Sequence, residues 1–381
     1  MRVLHLLSNF KWTGPSDPAV SLAAGLAASD VDVVLRTASY LKGGSINHVE
    51  EKARELGLPP VLDLSLGKHR SPLRDRADVR RLSRILESER FDLVHCHLPN
   101  DFRIAARACR RPGIPVVRSL YDTDPDALDA RDVRAISRRA AEVLVFSRRV
   151  RDRLEDGGIE ARRLHAVDPI VDLERFDPDR EVNDLRGKLG FGAEDFVAGI
   201  VARVQPQRRF DLLLDVAERV SREIPNFRVV VIGRGSKIDE VARDPARERG
   251  LLDRVVYFPG YFRGDEYVAM MRMLDVKLFL VPGTDGTARA VREALASGRP
   301  VVCTPRGMLS ELVLDGKTGH VVEETPEAFT RTLLELARDS ELRRRLGAQA
   351  REDAVRRFDP ARQVASVREI YAGCLSTPDA S

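Results

Sequence analysis

Residues Val281–Val302 read VPGTDGTARAVREALASGRPVV, and the reading of this stretch decides the fold. An apolar run, VKLFLVP, leads into it and stops at Gly283, where two glycines, two threonines and Asp285 fill five positions. An alanine-rich segment of helical spacing follows, ends at Gly298, and gives way to a second apolar run, RPVVCTP. Strand, loop, helix and strand in this order make a βαβ unit with its two strands parallel in one sheet. Ligands of such sheets collect outside the carboxyl ends of the strands. Asp285 in the loop and Glu293 further into the helix stand where a bound molecule would meet them. Gly286, Thr287 and Ala288 enter the helix with N–H groups that, with the helix dipole, suit an anion.

The same alternation runs through the whole chain. Apolar runs in the first half are VLHLL, VDVVLRT, FDLVHCH, IPVVRSL and EVLVFS; the second half has FVAGIVAR, FRVVVIG, RVVYFPG, VKLFLVP and RPVVCTP. Between them lie segments with apolar residues at helical spacing, such as Phe210, Leu213, Leu214, Val216 and Val220. Near-continuous apolar strands separated by amphipathic helices predict buried parallel sheets, so each half reads as Rossmann-like and the class as α/β. A chain of 381 residues is long for one core, and two domains are expected. The charged stretch DLERFDPDREVNDLRGKLG marks the boundary. The expected domains are residues 1–180 and 181–358, with a last helix and tail at 359–381 packing back on the first domain.

Lys plus Arg number 63 against 59 Asp plus Glu, a net charge of +4 that makes no case for a nucleic-acid partner. Cys96, Cys109, Cys303 and Cys374 are scattered, without CxxC pairs, as in a reducing cytosol. The opening MRVLHLLSNF is broken by His5 and reads as a buried first strand rather than a leader. No apolar run approaches the ~20 residues that span a bilayer, so a cytoplasmic protein is expected.

The nucleotide-binding signatures of other folds are missing. The first strand is followed by Gly14 alone instead of a GxGxxG loop, IGRGSK lacks the third glycine, and there is no P-loop. Arg203 closes the strand GIVAR, and Arg208 and Arg209 precede a helix. Guanidinium forks suit a diphosphate, although solvated arginines are common in so arginine-rich a chain. Gly233 either lets the backbone approach a ligand or makes an ordinary strand-end turn. Glu293 either accepts ribose hydroxyls or pairs with Arg289 one turn away. Asp285 either accepts sugar hydroxyls or caps the helix.

The segments ARVQPQR, PGTDGTARAVREA and SGRPVVCTPRGMLSELVLDGKTG resemble, in order and spacing, those of the retaining glycosyltransferases of family 4. FDLVHCH, VLVFSRRVRDRL and PIVDLERFDP in the first half are similar to that family more loosely. The resemblance implies the GT-B fold, two Rossmann-like domains with parallel sheets facing across a cleft. It implies a nucleotide diphosphate sugar as donor on the second domain, and an acceptor hydroxyl of a glycan, lipid-linked or small molecule on the first. Arg203 and Arg208 take the diphosphate positions, Arg208 in place of the usual lysine. Asp285 takes the position of the sugar-binding glutamate and Glu293 that of the ribose-binding one. Gly14 stands for the glycine-rich first loop, and Tyr121 for a histidine close to the reacting sugar. His97 reads as a substrate contact, Gly286, Thr287, Ala288 and Gly233 as nucleotide contacts. Asp285, Arg203 and Arg208 are the expected catalytic groups. Retention needs no protein nucleophile, since the acceptor attacks from the leaving-group face and a phosphate oxygen takes its proton. Asp285 and Tyr121 depart from the usual residues. They leave open a degenerate GT-B protein that binds a nucleotide or partner without turnover, beside a sugar-nucleotide epimerase.

Three further signals remain. His95 and His97 point to one side of a strand, but a metal reading lacks a third ligand. The DxD pattern occurs at Asp30, Asp122, Asp124 and Asp177 and carries no weight; no metal and no cofactor beyond the donor are expected. In KHRSPLRDRADVRRLSRILESERF, Ser71 caps a helix that Pro72 starts, with Leu73, Leu82, Ile85 and Leu86 inward. Arg70, Arg74, Arg81 and Arg84 face outward, which the resemblance connects with anionic membranes at the inner face, whereas Asp75, Asp78, Glu87 and Glu89 favour a plain solvated face.

Overall fold

The computed structural model describes residues 1–12, 14–39, 46–121, 124–282 and 288–376. Each of the ten apolar runs carries a strand, and all strand pairs within the two sheets are parallel. The chain divides into two compact units. One is Met1–Ile170 with the chain from Pro360 onward; the other is Val171–Gly283 with Ala288–Asp359.

The first unit runs β1 (Arg2–Leu7), α1 (Ser16–Ala27), β2 (Asp32–Thr37), α2 (His48–Glu55), α3 (Pro72–Ser88), β3 (Leu93–Cys96) and α4 (Pro99–Ala108). It continues with β4 (Val116–Leu120), α5 (Ala130–Arg139), β5 (Glu142–Val145), α6 (Arg148–Asp156) and β6 (Leu164–Ala166). Its sheet order is β2-β1-β3-β4-β5-β6. One face packs Leu82, Ile104, Ile136 and Leu154 from α3 to α6. The opposite face packs Val20, Leu22 and Val49, and Val367 and Tyr371 of the last helix.

The second unit runs α7 (Leu185–Lys188), β7 (Phe196–Val201), α8 (Phe210–Glu223), β8 (Phe227–Ile232), α9 (Asp244–Glu248), β9 (Val256–Gly260) and α10 (Gly264–Arg272). Then come β10 (Val276–Phe279), α11 (Arg289–Ala296), β11 (Val301–Cys303), α12 (Leu309–Leu312), β12 (Gly319–Val321), α13 (Pro326–Arg338) and α14 (Ser340–Arg357). Its order is β12-β11-β10-β7-β8-β9. The last helix, α15 (Pro360–Ser376), packs on α1 in the first unit. Residues 171–180 belong to the second unit for local reasons: Val171 N–H donates to the Phe358 carbonyl at 3.1 Å, and Phe176 packs edge-on to Tyr267.

Two further features, besides the boundary at 170 instead of 180, differ from the sequence reading. Strands β6 and β12 are three-residue edge strands, LHA and GHV, too short to show an apolar run. Leu73, expected in the core, is 80% exposed, while Asp75 and Asp78 are buried. Leu73 lies nine residues before Leu82, about half a turn out of phase at ~100° per residue, so the two cannot share a face. Asp75 and Asp78 occupy the inward positions because backbone N–H groups of Ser71, Ser65 and Leu66 satisfy them. Among the described residues no helix is long and apolar enough to cross a membrane.

Lys277 is fully buried in β10 and donates to the Leu278 carbonyl at 2.6 Å. Burial pushes its pKa down to about 7, with Glu293 pulling it back up. The unfolded chain binds this proton below pH ~10.4, the folded chain only near 7 and below, so stability falls as pH drops from about 10 to 7. Lys277→Met is expected to flatten that slope and to raise unfolding free energy at pH 7 by ~1–4 kcal/mol, measured by urea unfolding across pH.

Candidate functional site

In the second sheet the order of strands reverses between β7 and β10, and the crevice outside their carboxyl ends is the place such sheets offer a ligand. Arg203 is exposed just beyond β7. Arg208, half-buried in the turn Pro206–Arg208, donates from Nη1 to the Val281 carbonyl at 2.8 Å, joining the end of β7 to the end of β10. Arg209 instead pairs with Asp211 at 3.0 Å and with Glu324. At Gly233 a Cβ would lie 1.9 Å from the Ala202 carbonyl oxygen. The close approach that glycine permits here is between the backbones following β7 and β8.

Ala288 caps α11 in the left-handed region, φ 47° and ψ 53°, where a Cβ costs about 1–2 kcal/mol. Such strain gathers at functional loops. Glu293, 6% exposed, accepts a 2.5 Å hydrogen bond from the Tyr267 hydroxyl, and Arg289 stands 3.6 Å from its other oxygen. The Arg289 pairing weighed from the sequence thus exists, but at a longer distance than the tyrosine contact. Tyr267 comes from α10, and no spacing rule links it to Glu293 in sequence. Asp285, Gly286 and Thr287 lie outside the described residues.

In the first sheet the reversal falls between β1 and β3. Gly14 sits in the turn before α1, and Asn9 shapes the start of this loop by accepting from the N–H groups of Phe10 and Lys11. Asp101 is fully buried and accepts from the N–H of Ser8 at 2.8 Å and of Leu98 at 2.9 Å, tying the ends of β1 and β3 together. Burial raises its pKa to about 6, against the pull of Arg118.

His97 and Tyr121 are brought together, and with groups that the sequence reading did not connect. The Tyr121 hydroxyl meets His97 Nδ1 at 2.7 Å, and His97 Nε2 meets His5 Nδ1 at 2.9 Å. His5 Nε2 meets the Tyr371 hydroxyl at 3.2 Å, which meets His95 Nδ1 at 2.5 Å, and His95 Nε2 meets Ser119 Oγ at 2.8 Å. A neutral imidazole gives one donor and one acceptor, so the chain can be satisfied end to end with every proton pointing one way. Burial holds all three histidines below their ordinary pKa, His5 down to about 3. His5 supplies the third side chain that a metal reading of His95 and His97 lacked, with ligand atoms within 4.8 Å. Yet all six ring nitrogens are hydrogen-bonded, and His97 stacks on both others at interplanar angles of 25° and 28°. With each ring nitrogen already engaged by a neighbouring side chain, the arrangement favours the hydrogen-bonded chain.

The unfolded chain takes protons on these histidines below pH ~6.5, whereas the folded chain refuses them to lower pH. Stability is therefore lost as pH falls from about 6.5 toward 3. A His5→Asn, His95→Asn double variant is expected to show a weaker fall in urea midpoint between pH 7 and 4.5 than the parent chain.

Two family models match: one described as glycosyl transferases group 1 over residues 181–353, the other as glycosyltransferase family 4 over residues 19–175. The chain is 30% identical over 309 residues to the D-inositol 3-phosphate glycosyltransferase of Xylanimonas cellulosilytica, covering 74% of this chain and 72% of that protein. It is 26% identical to the putative glycosyltransferase EpsD of Bacillus subtilis, covering 83% and 86%. Among solved structures, Anabaena Alr3699/HepE in complex with UDP and glucose superposes with a TM-score of 0.79 at 19% identity, covering 98% of this chain and 100% of that one.

Proposed function

Because the chain belongs to the family 4 glycosyltransferases and has their GT-B fold, we propose that it transfers a sugar from a nucleotide diphosphate sugar to an acceptor hydroxyl with retention of anomeric configuration. The observation that carries this reading is the meeting of Arg208 with the end of β10 at the strand reversal of the second sheet. That is where a helix entrance, a strained backbone at Ala288 and the buried Glu293 follow one another in the chain. Similar structures hold UDP, UDP and glucose, or UDP-glucose, which supports a nucleotide-sugar donor.

In this reading Glu293 accepts the ribose hydroxyls, held in place by Tyr267. Arg203 and Arg208 donate to the diphosphate, and with the N–H groups of Gly286, Thr287 and Ala288 they stabilise the charge that grows as the anomeric bond breaks. Asp285 accepts hydroxyls of the donor sugar. The acceptor oxygen attacks from the face the diphosphate leaves, and a phosphate oxygen takes its proton, so neither a nucleophilic side chain nor a metal enters the step. Gly14 belongs to the first loop, which closes over the diphosphate, His97 is a substrate contact, and Tyr121 stands close to the reacting sugar with its hydroxyl engaged by His97.

Arg203→Ala and Arg208→Ala are expected to weaken uridine diphosphate by ~1.5–3 kcal/mol each while leaving uridine unchanged. Glu293→Gln is expected to weaken both. Calorimetric titration of the two ligands checks this; equal losses for uridine and its diphosphate in the arginine variants would show that those side chains hold the fold instead. Asp285→Asn is expected to cut turnover ~10-fold or more, a loss of 1.4 kcal/mol in the transition state, with diphosphate affinity retained.

A further inference from the structure

The first unit holds a cavity of about 360 Å³ in which the sequence reading found no motif. Its walls are α4 and α5, its base is β4, and Arg70 ahead of α3 reaches its rim. Among the described residues six guanidinium groups line it, those of Arg70, Arg103, Arg107, Arg118, Arg131 and Arg139, against one carboxylate, that of Asp132. The arginines are positioned rather than scattered. Arg103 donates to the Asn100 side chain at 2.7 Å, Arg107 to the Arg103 carbonyl at 3.3 Å, and Arg139 to the Ala106 carbonyl at 3.1 Å. These bonds go to neutral oxygens, so they orient the groups without cancelling their charge.

Arg118 is the most informative of the six. It is 3% exposed, yet Asp101 Oδ1 stands 4.0 Å away and the Cys96 carbonyl 3.5 Å. Among the described residues its other contact is the Phe102 ring at 5.8 Å, and a buried guanidinium with partners at these distances carries a desolvation cost that a closer anion would offset. Side chains alternate along β4, so Arg118 and Leu120 face this cavity while Ser119 and Tyr121 face the histidine chain. Between the arginines the lining is apolar, with Phe102, Leu128 and Ile136. The size falls within the range of small-molecule sites, and the surroundings suit a body of modest polarity bearing a concentrated negative charge. Phosphate oxygens match guanidinium forks in geometry and take several at once.

We propose that this cavity binds an organic phosphate ester, its phosphate among Arg103, Arg118 and Arg131 and its carbon body against Phe102 and Ile136. The inference stands on the first unit alone and does not depend on the donor site. The ester is either a soluble phosphorylated sugar or polyol, or the headgroup of a phospholipid, and the test distinguishes these sources.

The full chain is titrated calorimetrically with glucose 6-phosphate, glycerol 3-phosphate, glucose and inorganic phosphate, and separately mixed with vesicles of phosphatidylcholine containing phosphatidylglycerol. The variants Arg131→Glu and Arg107→Glu are chosen because both residues are exposed, so the fold is retained; unchanged affinity for uridine diphosphate verifies this without reference to the cavity. The expected result is that a phosphate ester binds more tightly than inorganic phosphate, that glucose alone does not bind, and that each variant loses ~10-fold or more in ester affinity. Vesicle binding that the variants abolish, without binding of soluble esters, assigns the ester to a lipid headgroup. Esters and vesicles that bind parent and variants alike, or not at all, overturn the proposal.

Discussion

The hydrogen bond from Arg208 to the Val281 carbonyl crosses the point where the second sheet reverses its strand order, and what the molecule can bind follows from that reversal. Parallel strands must be joined by helices that return over the sheet, which puts all carboxyl ends on one edge. When β8 and β9 extend to one side of β7 and β10 begins the other side, the connections part and leave a crevice. Arg208 lies across it, one end on the turn after β7 and the other on the chain leaving β10. Guanidinium forks of this kind suit the oxygens of a diphosphate.

The first sheet solves the same geometric problem differently. Its reversal between β1 and β3 is closed by a carboxylate, Asp101, which accepts from both strand ends. Behind it runs the chain from Tyr121 through three histidines and Tyr371 to Ser119. Tyr371 belongs to α15, so the last helix is fastened to the sheet by polar contacts in the middle of an apolar face as well as by Val367. Burying three imidazoles has a cost that rises in acid, and the complete pairing of their nitrogens keeps that cost small near neutrality.

Much of this was legible in the sequence, and the parts that were not share a cause. Ten strands announced themselves because a strand buried on both faces is apolar throughout; β6 and β12 sit at sheet edges and are too short to do so. The stretch from Val281 to Val302 gave Glu293 its place on a helix following a strand, yet not its partner Tyr267, which reaches it from α10. His95 and His97 were visibly on one side of β3, but His5 joins them only because β1 pairs with β3 in register, His5 opposite His95. Leu73 is apolar and in a helix, which suggests burial, but its phase relative to Leu82 puts it on the opposite face. The arginine cavity shows no pattern in sequence at all, since its six arginines come from three separate elements, α4, β4 and α5, and from the loop before α3. Contacts across elements depend on register and layer order, and local periodicity does not encode them.

Retention of configuration is the central chemical claim, and the anomeric proton of the released sugar tests it most directly. With UDP-glucose and the purified chain, proton NMR recorded before mutarotation reports which anomer forms first as donor passes to water. The account predicts α-glucose, the configuration of the donor. Accumulation of β-glucose as the first product would contradict it.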